Sequence, residues 1–243
     1  MAKFSLQRDP RVYARGVAVK PPERKRVLGL DLGTNCGVAF ADIIPGITQE
    51  DVVSYLEQWD LSLGPYDSGA LRFLKLRTFL SLVQPDLVML ENVKYDPPLA
   101  EFRTRAGGLG AIVARVTPTA EFFGTLKAVV QLWCQEYDVP CHGVEIMEIK
   151  KFAMAEANIV RKGTPNKEDM IAACNTVFST TFDPKTYEKT GVDNIADAAF
   201  AMLMGVTAYS EGLDVGQLTL PAFEQPGHSS AKPRKKKKTE VPK

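Results

Sequence analysis

Cysteine is scarce in this chain of 243 residues, and long apolar runs are missing. The four cysteines form no Cys-x-x-Cys pair, which argues against a zinc site and against a disulfide framework. No stretch reaches the roughly 18 consecutive apolar residues that a membrane helix needs, and the first residues lack the apolar core of a secretory signal. We therefore expect reduced thiols, a cytoplasmic location and no contact with a membrane.

A strong excess of either charge is also absent, because the net charge of the whole chain is +1. The charges are nevertheless unevenly distributed. Residues 1–26 carry eight Lys and Arg against two Asp and Glu, and residues 226–243 carry seven against one, so each end has a net charge of +6 and residues 27–225 have −11. Basic ends on an acidic body favour a polyanionic partner, although such tails can also serve solubility alone.

The composition divides the chain into three parts. Residues 1–26 form a basic N-terminal arm that Pro21 and Pro22 close, and residues 221–243 form a Lys-rich tail that we expect to be disordered. Between them, residues 27–220 form one α/β domain of ordinary size. The domain is therefore the place to look for chemistry.

Apolar patterning in the domain predicts five strands and five helices. The strands are predicted at residues 27–32, 38–44, 52–61, 87–91 and 139–146, and the helices near residues 71–82, 119–137, 149–157, 166–178 and 193–209. Three antiparallel strands followed by a βαβ region predict a mixed five-stranded sheet flanked by helices.

Four acidic residues stand out because each begins or ends a predicted element. Asp31 and Glu91 end the first and fourth strands, whereas Asp193 and Asp197 lie four residues apart on one face of the last helix. Each also has an ordinary structural interpretation, such as a turn residue, a solvated strand end or a helix cap. If the first and fourth strands are neighbours, however, Asp31 and Glu91 meet at one end of the sheet and the helix brings Asp197 over them.

Carboxylates that converge in this way suit divalent cations. Mg²⁺ prefers oxygen ligands, and two such ions about 4 Å apart can act on the attacking water and the leaving oxygen of a phosphodiester. The acidic positions are therefore candidate ligands for divalent cations that could act on a phosphodiester.

The motifs around these residues occur in a fixed order. They are Leu30-Asp31-Leu32-Gly33-Thr34 with Gly37, Leu90-Glu91-Asn92-Val93, Ile149-Lys150-Lys151-Phe152-Ala153, Gly163-Thr164-Pro165-Asn166-Lys167 and Asp193-Asn194-Ile195-Ala196-Asp197. In this order and spacing they resemble the RuvC-like Holliday junction resolvases, especially the phage type, over roughly residues 27–205.

The resemblance implies an RNase H-like fold, a homodimer, and nicking of DNA junctions that depends on two Mg²⁺ ions, for which Mn²⁺ substitutes. It implies that Asp31, Glu91 and Asp197 are catalytic metal ligands. For the fourth ligand, bacterial relatives use the position of Asn194, whereas the phage pattern points to Asp193. We expect Asp193, with Asn194 as the alternative. If the chain is phage-encoded, the expected location is the host cytoplasm, although the Lys-rich tail leaves a nuclear or other DNA-containing compartment open.

The resemblance also implies contacts with DNA. The expected contact residues are Lys150, Lys151, Lys167, Tyr95, Arg103 and Arg105. Lys167 is also expected to act in catalysis, because it follows a Gly-Thr-Pro-Asn turn that can approach a backbone. Tyr95 could stack on an unpaired base, and the helix at 119–137 corresponds to the dimer helix of the family. Ordinary surface or core packing is the alternative for each.

Three other functions stay open from sequence. An actin- or Hsp70-type ATPase also begins with Asp-Leu-Gly-Thr, but it needs a second phosphate loop that we do not find. A non-catalytic DNA-binding protein could keep the same fold. A nuclease with broader specificity could cleave flaps, forks or RNA–DNA hybrids.

Overall fold

The computed structural model describes residues 3–4, 24–44, 53–92 and 118–210. The predicted DNA contacts Tyr95, Arg103 and Arg105 lie outside these ranges, as do the Lys-rich tail and most of the basic arm. The division into arm, domain and tail therefore stays a prediction. Within the described ranges, no helix combines the length and the apolar character that crossing a membrane requires.

The described strands form one mixed sheet. In chain order they are β1 (Lys3–Phe4), β2 (Lys25–Asp31), β3 (Asn35–Ile43), β4 (Val53–Asp60), β5 (Leu87–Glu91) and β6 (Cys141–Val144). Their order across the sheet is β1-β4-β3-β2-β5-β6. β3 is antiparallel to β2 and β4, whereas β5 is parallel to β2 and β6 is parallel to β5. Strands β2 to β6 confirm the predicted sheet, and the two-residue β1, parallel to β4, was not predicted.

Helices cover both faces of the sheet. They are α1 (Leu71–Val83), α2 (Pro118–Glu136), α3 (Ile146–Glu156), α4 (Lys167–Phe178), α5 (Tyr187–Thr190) and α6 (Val192–Ser210). Because side chains alternate along a strand, Leu28 packs with α1 and α2 on one face, and its neighbour Val27 packs with α3, α4 and α6 on the other. This strand order between two helical layers is the RNase H-like fold, so the predicted fold class is confirmed.

Some element ends differ from the predicted ones. β3 begins at Asn35 because Asn35 and Gly37 already pair with β4, which leaves a shorter turn after β2 than expected. The predicted strand at 139–146 is shorter, since Ile146 already begins α3. α5 was not predicted, because four residues are too few to show a helical period.

Helix α6 approaches the sheet more closely than side chains would allow. A Cβ atom at Gly37 would lie 1.9 Å from the carbonyl oxygen of Asn194, and one at Gly29 would lie 2.1 Å from that of Ala198. Glycine is therefore required at both positions. Gly37 pairs with Asp31 across the β2–β3 ladder, so this contact places the first turns of α6 next to Asp31.

Gly37→Ala should push the start of α6 away from the sheet and lower the free energy of unfolding by at least about 1–3 kcal/mol, the usual cost of overpacking an interior. Gly124→Ala is the matched control, because its Cβ would meet nothing within 4 Å and it lies in helix α2, where this change should stabilise by about 0.5–1 kcal/mol. Urea unfolding measures both. A Gly37→Ala protein as stable as wild type would contradict the close docking of α6.

Candidate metal centre

Asp31 and Glu91 become neighbours because β2 and β5 pair in parallel. The register places Leu30 beside Leu90, so the residues that follow them, Asp31 and Glu91, also lie beside each other. Since side chains alternate along a strand, both carboxylates are on the face that α6 covers. The condition set from the sequence, that the first and fourth predicted strands are neighbours, is thus met.

Asp197 completes the cluster from α6. One carboxylate oxygen from each of Asp31, Glu91 and Asp197 lies within 4.8 Å of the others. All three residues are partly exposed, so the cluster opens to solvent. The sheet and its covering helix thereby gather three of the predicted ligands at one edge.

Burial is the largest cause of a raised pKa at each of these carboxyls. It raises the pKa of Asp31 well above the usual range, and the charges of Glu91 and Asp197 add to the effect. Burial, followed by the charge of Glu91, raises the pKa of Asp197 to about 7, although Lys150 opposes the shift. Burial also raises the pKa of Glu91, against a hydrogen bond from Asp31 and the charge of Lys150. The cluster therefore holds protons more tightly than free carboxylates do, and a bound cation would compete with those protons.

The cluster fits a divalent cation. Oxygens on opposite sides of one Mg²⁺ ion are about 4.2 Å apart, twice its usual ligand distance, and the three carboxylate oxygens, all within 4.8 Å of one another, are close enough for small shifts to bring them around one ion. Asp197 Oδ1 is buried and has no hydrogen-bond partner within the described residues. A buried carboxylate elsewhere in the domain is neutralised, since Arg26 donates to both oxygens of Asp42 at 2.6 Å. In the described part of the chain, no Lys or Arg forms such an ion pair with Asp31, Glu91 or Asp197.

Asp193 lies beside the cluster, where Lys167 already pairs with it. Asp193 is buried, and its Oδ2 accepts a hydrogen bond from Lys167 Nζ at 2.6 Å. Its charge still contributes to the raised pKa of Asp31 and of Asp197. Asn194, the alternative fourth ligand, donates from Nδ2 to the backbone carbonyl of Asn35 at 2.7 Å. A fourth ligand therefore stays a prediction.

Two of the predicted lysines lie at the edge of the cluster. Lys150 is partly buried on α3, and its charge lowers the pKa of Glu91 and of Asp197. Lys167 is the first residue of α4, directly after the cap Asn166, whose side chain accepts from the Asp169 N–H in a capping box. Lys151 is exposed on α3. Contact of these lysines with DNA stays a prediction.

Two contacts next to the cluster have no signal in the sequence. Lys167 Nζ lies 5.1 Å from the centroid of the Tyr187 ring, and Lys127 Nζ donates to Asn92 Oδ1 at 2.5 Å. Both contacts join residues that are far apart in the chain. Only the packing of helices onto the sheet brings them together.

Fold and site together define a protein of the RNase H-like class with an acidic cluster suited to divalent cations. No protein-family model matches the sequence, and no curated protein matches it. Among solved structures, RuvC from T. thermophilus in complex with a Holliday junction substrate is similar at 17% identity and a TM-score of 0.47, over 77% of this chain and 96% of that chain. A Thermus thermophilus RuvC structure is similar at 18% identity and a TM-score of 0.46, over 74% of this chain and 96% of that chain. Similarity at this level does not transfer a function.

The metal-free protein should lose stability as the pH rises from about 4 to about 7, the window between the ordinary pKa of Asp and that of Asp197 in the fold. In this window the folded chain binds more protons than the unfolded chain, because folding raises the pKa of Asp31 and Asp197. Asp31→Asn removes one of the competing charges, so it should raise the thermal midpoint at neutral pH and flatten the fall. Thermal unfolding in a chelator measures this.

Calcium supplies the control for the same experiment. At neutral pH, Ca²⁺ at about 100 times its Kd should stabilise the wild type by about 2.7 kcal/mol, and it should leave Asp31→Asn unchanged. Asp138→Asn changes an exposed aspartate with a φ of 53°, which Asn also tolerates, and it should behave as the wild type. A metal-free wild type that is equally stable on both sides of the pH window would contradict the charge repulsion.

Proposed function

We propose that this chain is an endonuclease that cleaves phosphodiester bonds in branched DNA, above all in four-way junctions, with Mg²⁺ as its cofactor. The observation that carries the proposal is the convergence of Asp31, Glu91 and Asp197 at one open edge of an RNase H-like sheet. The choice of four-way junctions rests on the resemblance of the five ordered motifs to RuvC-like resolvases. RuvC from T. thermophilus, one of the similar structures, was solved with such a junction.

The carboxylates of Asp31, Glu91 and Asp197 would hold the metal, as one ion or two. When bound, Mg²⁺ supplies a more acidic water and stabilises negative charge on the leaving oxygen. Mn²⁺, which also favours carboxylate oxygens, should substitute. The sequence motif predicts Asp193 as a fourth ligand, whereas its pairing with Lys167 favours another role.

The residues of the chain itself bind and orient the DNA strand. Lys150 and Lys167 place positive charge beside the carboxylates, where it can attract a phosphate that the acidic cluster alone would repel. The rigid positions of Asp31 and Glu91 on paired strands fix the cut relative to the bound strand. We expect products with 5′-phosphate and 3′-hydroxyl ends.

A homodimer is the assembly that we propose for this activity. Two copies of the site would match the approximate two-fold symmetry of a four-way junction. On α2, the predicted dimer helix, Leu132 is 63% exposed, and Tyr137, the residue directly after its C-terminal end, is 54% exposed. Trp133 belongs to the core instead, since it is buried and donates to Ser81 Oγ at 3.0 Å.

Incubation with synthetic DNA tests the activity. In Mg²⁺ the wild type should introduce paired nicks in a four-way junction and leave a plain duplex intact. Asp31→Asn should lower the rate more than about 100-fold, beyond the usual effect of changing a residue that only supports a metal ligand, because a ligand itself is lost. Binding of the junction in Ca²⁺ should be largely kept.

The same assay separates the alternatives. Asp138 precedes β6, whereas Glu91 lies beside Val144 at the other end of that strand. Asp138→Asn should therefore cleave as the wild type does. Equal cleavage of flaps, forks or RNA–DNA hybrids would replace junction resolution with a broader nuclease. Binding of the junction without cleavage in Mg²⁺ or Mn²⁺ would instead identify a non-catalytic DNA-binding protein, and a fully active Asp31→Asn protein would refute the site.

A further inference from the structure

Lys167 is held on two sides although most of its side chain is in solvent. Its Nζ donates to Asp193 Oδ2 at 2.6 Å and lies 5.1 Å from the centroid of the Tyr187 ring. The Lys167 side chain is 58% exposed, whereas the side chain of Asp193 is only 8% exposed. A long, exposed lysine is thus anchored by a buried carboxylate and an aromatic face.

The negative charge of the Asp193 carboxylate already has a positive partner, unlike the charges of the three members of the cluster. The ammonium of Lys167 neutralises it, and it lies in the first turn of α6, where the helix dipole also favours a negative charge. Asp197, one turn further along α6, has a buried oxygen without a hydrogen-bond partner in the described part of the chain. The two aspartates of the same motif therefore meet different electrostatic environments.

The backbone of Lys167 is fixed as well. Asn166 and Asp169 form a capping box in which the Asn166 side chain accepts from the Asp169 N–H at 2.9 Å and Asp169 accepts from the Asn166 N–H at 2.7 Å. Tyr187 packs against the core that contains α4 and α6, so its ring has a fixed position. The direction of the lysine side chain is thus set at both its ends.

We propose that Asp193 and Tyr187 are positioning residues that hold the Lys167 ammonium at the edge of the carboxylate cluster to receive a DNA phosphate, and that Asp193 is not a metal ligand. This inference rests on the proposed nuclease function. A lysine ammonium has three donors, and Asp193 takes one, so others are left for a phosphate on the exposed side. Ordering the side chain before binding reduces the entropy that is lost when DNA binds.

The direction in which Asp193→Asn changes the affinity for DNA distinguishes a positioning role of Asp193 from a simple charge effect. Removing a negative charge near DNA should tighten binding if Asp193 acts only through its charge. If Asp193 positions Lys167, Asp193→Asn should instead weaken junction binding in Ca²⁺ by about two- to tenfold, the cost of ordering one long side chain. Glu168→Gln, an exposed acidic residue in the first turn of α4, is the matched control and should bind equally or more tightly.

A double-mutant cycle shows whether Asp193 acts through Lys167. Lys167→Met should weaken binding and lower the slope of log affinity against log salt by about 1, as expected for one lost phosphate contact. Asp193→Asn should add no further loss in the Lys167→Met background. Additive losses would overturn the proposal.

At Tyr187, replacement by Leu should reduce affinity by about two- to fivefold, and the conservative Tyr187→Phe, which keeps the ring face, should rescue that loss.

Cation binding tests the second half of the proposal without any cleavage. Calorimetric titration with Ca²⁺ or Mn²⁺ should show binding by Asp193→Asn that is close to the wild type, and none by Asp31→Asn. Loss of cation binding in Asp193→Asn would overturn the proposal and establish Asp193 as a ligand.

Chemical modification tests the anchor independently of DNA and metal. Acetylation of Lys167 in the wild type should be slower than that of the exposed Lys162, and Asp193→Asn should accelerate it. Equal rates in both proteins would overturn the anchor even if the chain is a nuclease. If the wild type neither binds junctions nor cleaves them while Lys167 is protected, the proposed function fails and the contact between Lys167 and Asp193 stands.

Discussion

The structure depends on one constraint. Three carboxylates lie close together, and there is too little positive charge around them to neutralise all three. The parallel pairing of β2 with β5 places Asp31 beside Glu91, and a one-residue slip of either strand would put its carboxylate on the opposite face of the sheet. Burial raises the pKa of each member, and repulsion from the neighbouring carboxylates raises the pKa of Asp31 and of Asp197 further. The fold thus maintains an arrangement that costs stability, and a bound cation is what would recover that cost.

Helix α6 joins the core of the domain to this cluster. Its apolar residues, among them Phe200 and Met202, are fully buried against the sheet, and its first turns lie directly on β3 at Gly37. The burial that stabilises the fold therefore also fixes the position of Asp197. Site residues on a helix and two strands are held more rigidly than they would be on loops. The positive charges of Lys150 and Lys167 come from the two helices beside α6, so the same helical layer supplies both signs of charge.

Much of this arrangement could be predicted from the sequence, because apolar periodicity reports burial directly. It predicted strands β2 to β6, the mixed sheet and the positions of Asp31 and Glu91 at strand ends, whereas the pairing of those two strands was only assumed. The register of β3 at Asn35 and the start of α3 at Ile146 could not be predicted, since they depend on pairing and capping rather than on apolar period. The Tyr187 ring beside Lys167 and the pairing of Asp193 with that lysine depend on how α4, α5 and α6 pack. The identity of a fourth ligand, which the motif alone places at Asp193, depends on that packing too.

The measurement that tests the central claim most directly is a crystal structure of the protein with Mn²⁺, with the ions located by anomalous scattering. We expect at least one strong peak with oxygens of Asp31, Glu91 and Asp197 at about 2.0–2.2 Å, the distance range of small divalent cations. Anomalous peaks confined to other residues, with the three carboxylates unbound at a saturating concentration of Mn²⁺, would contradict the account.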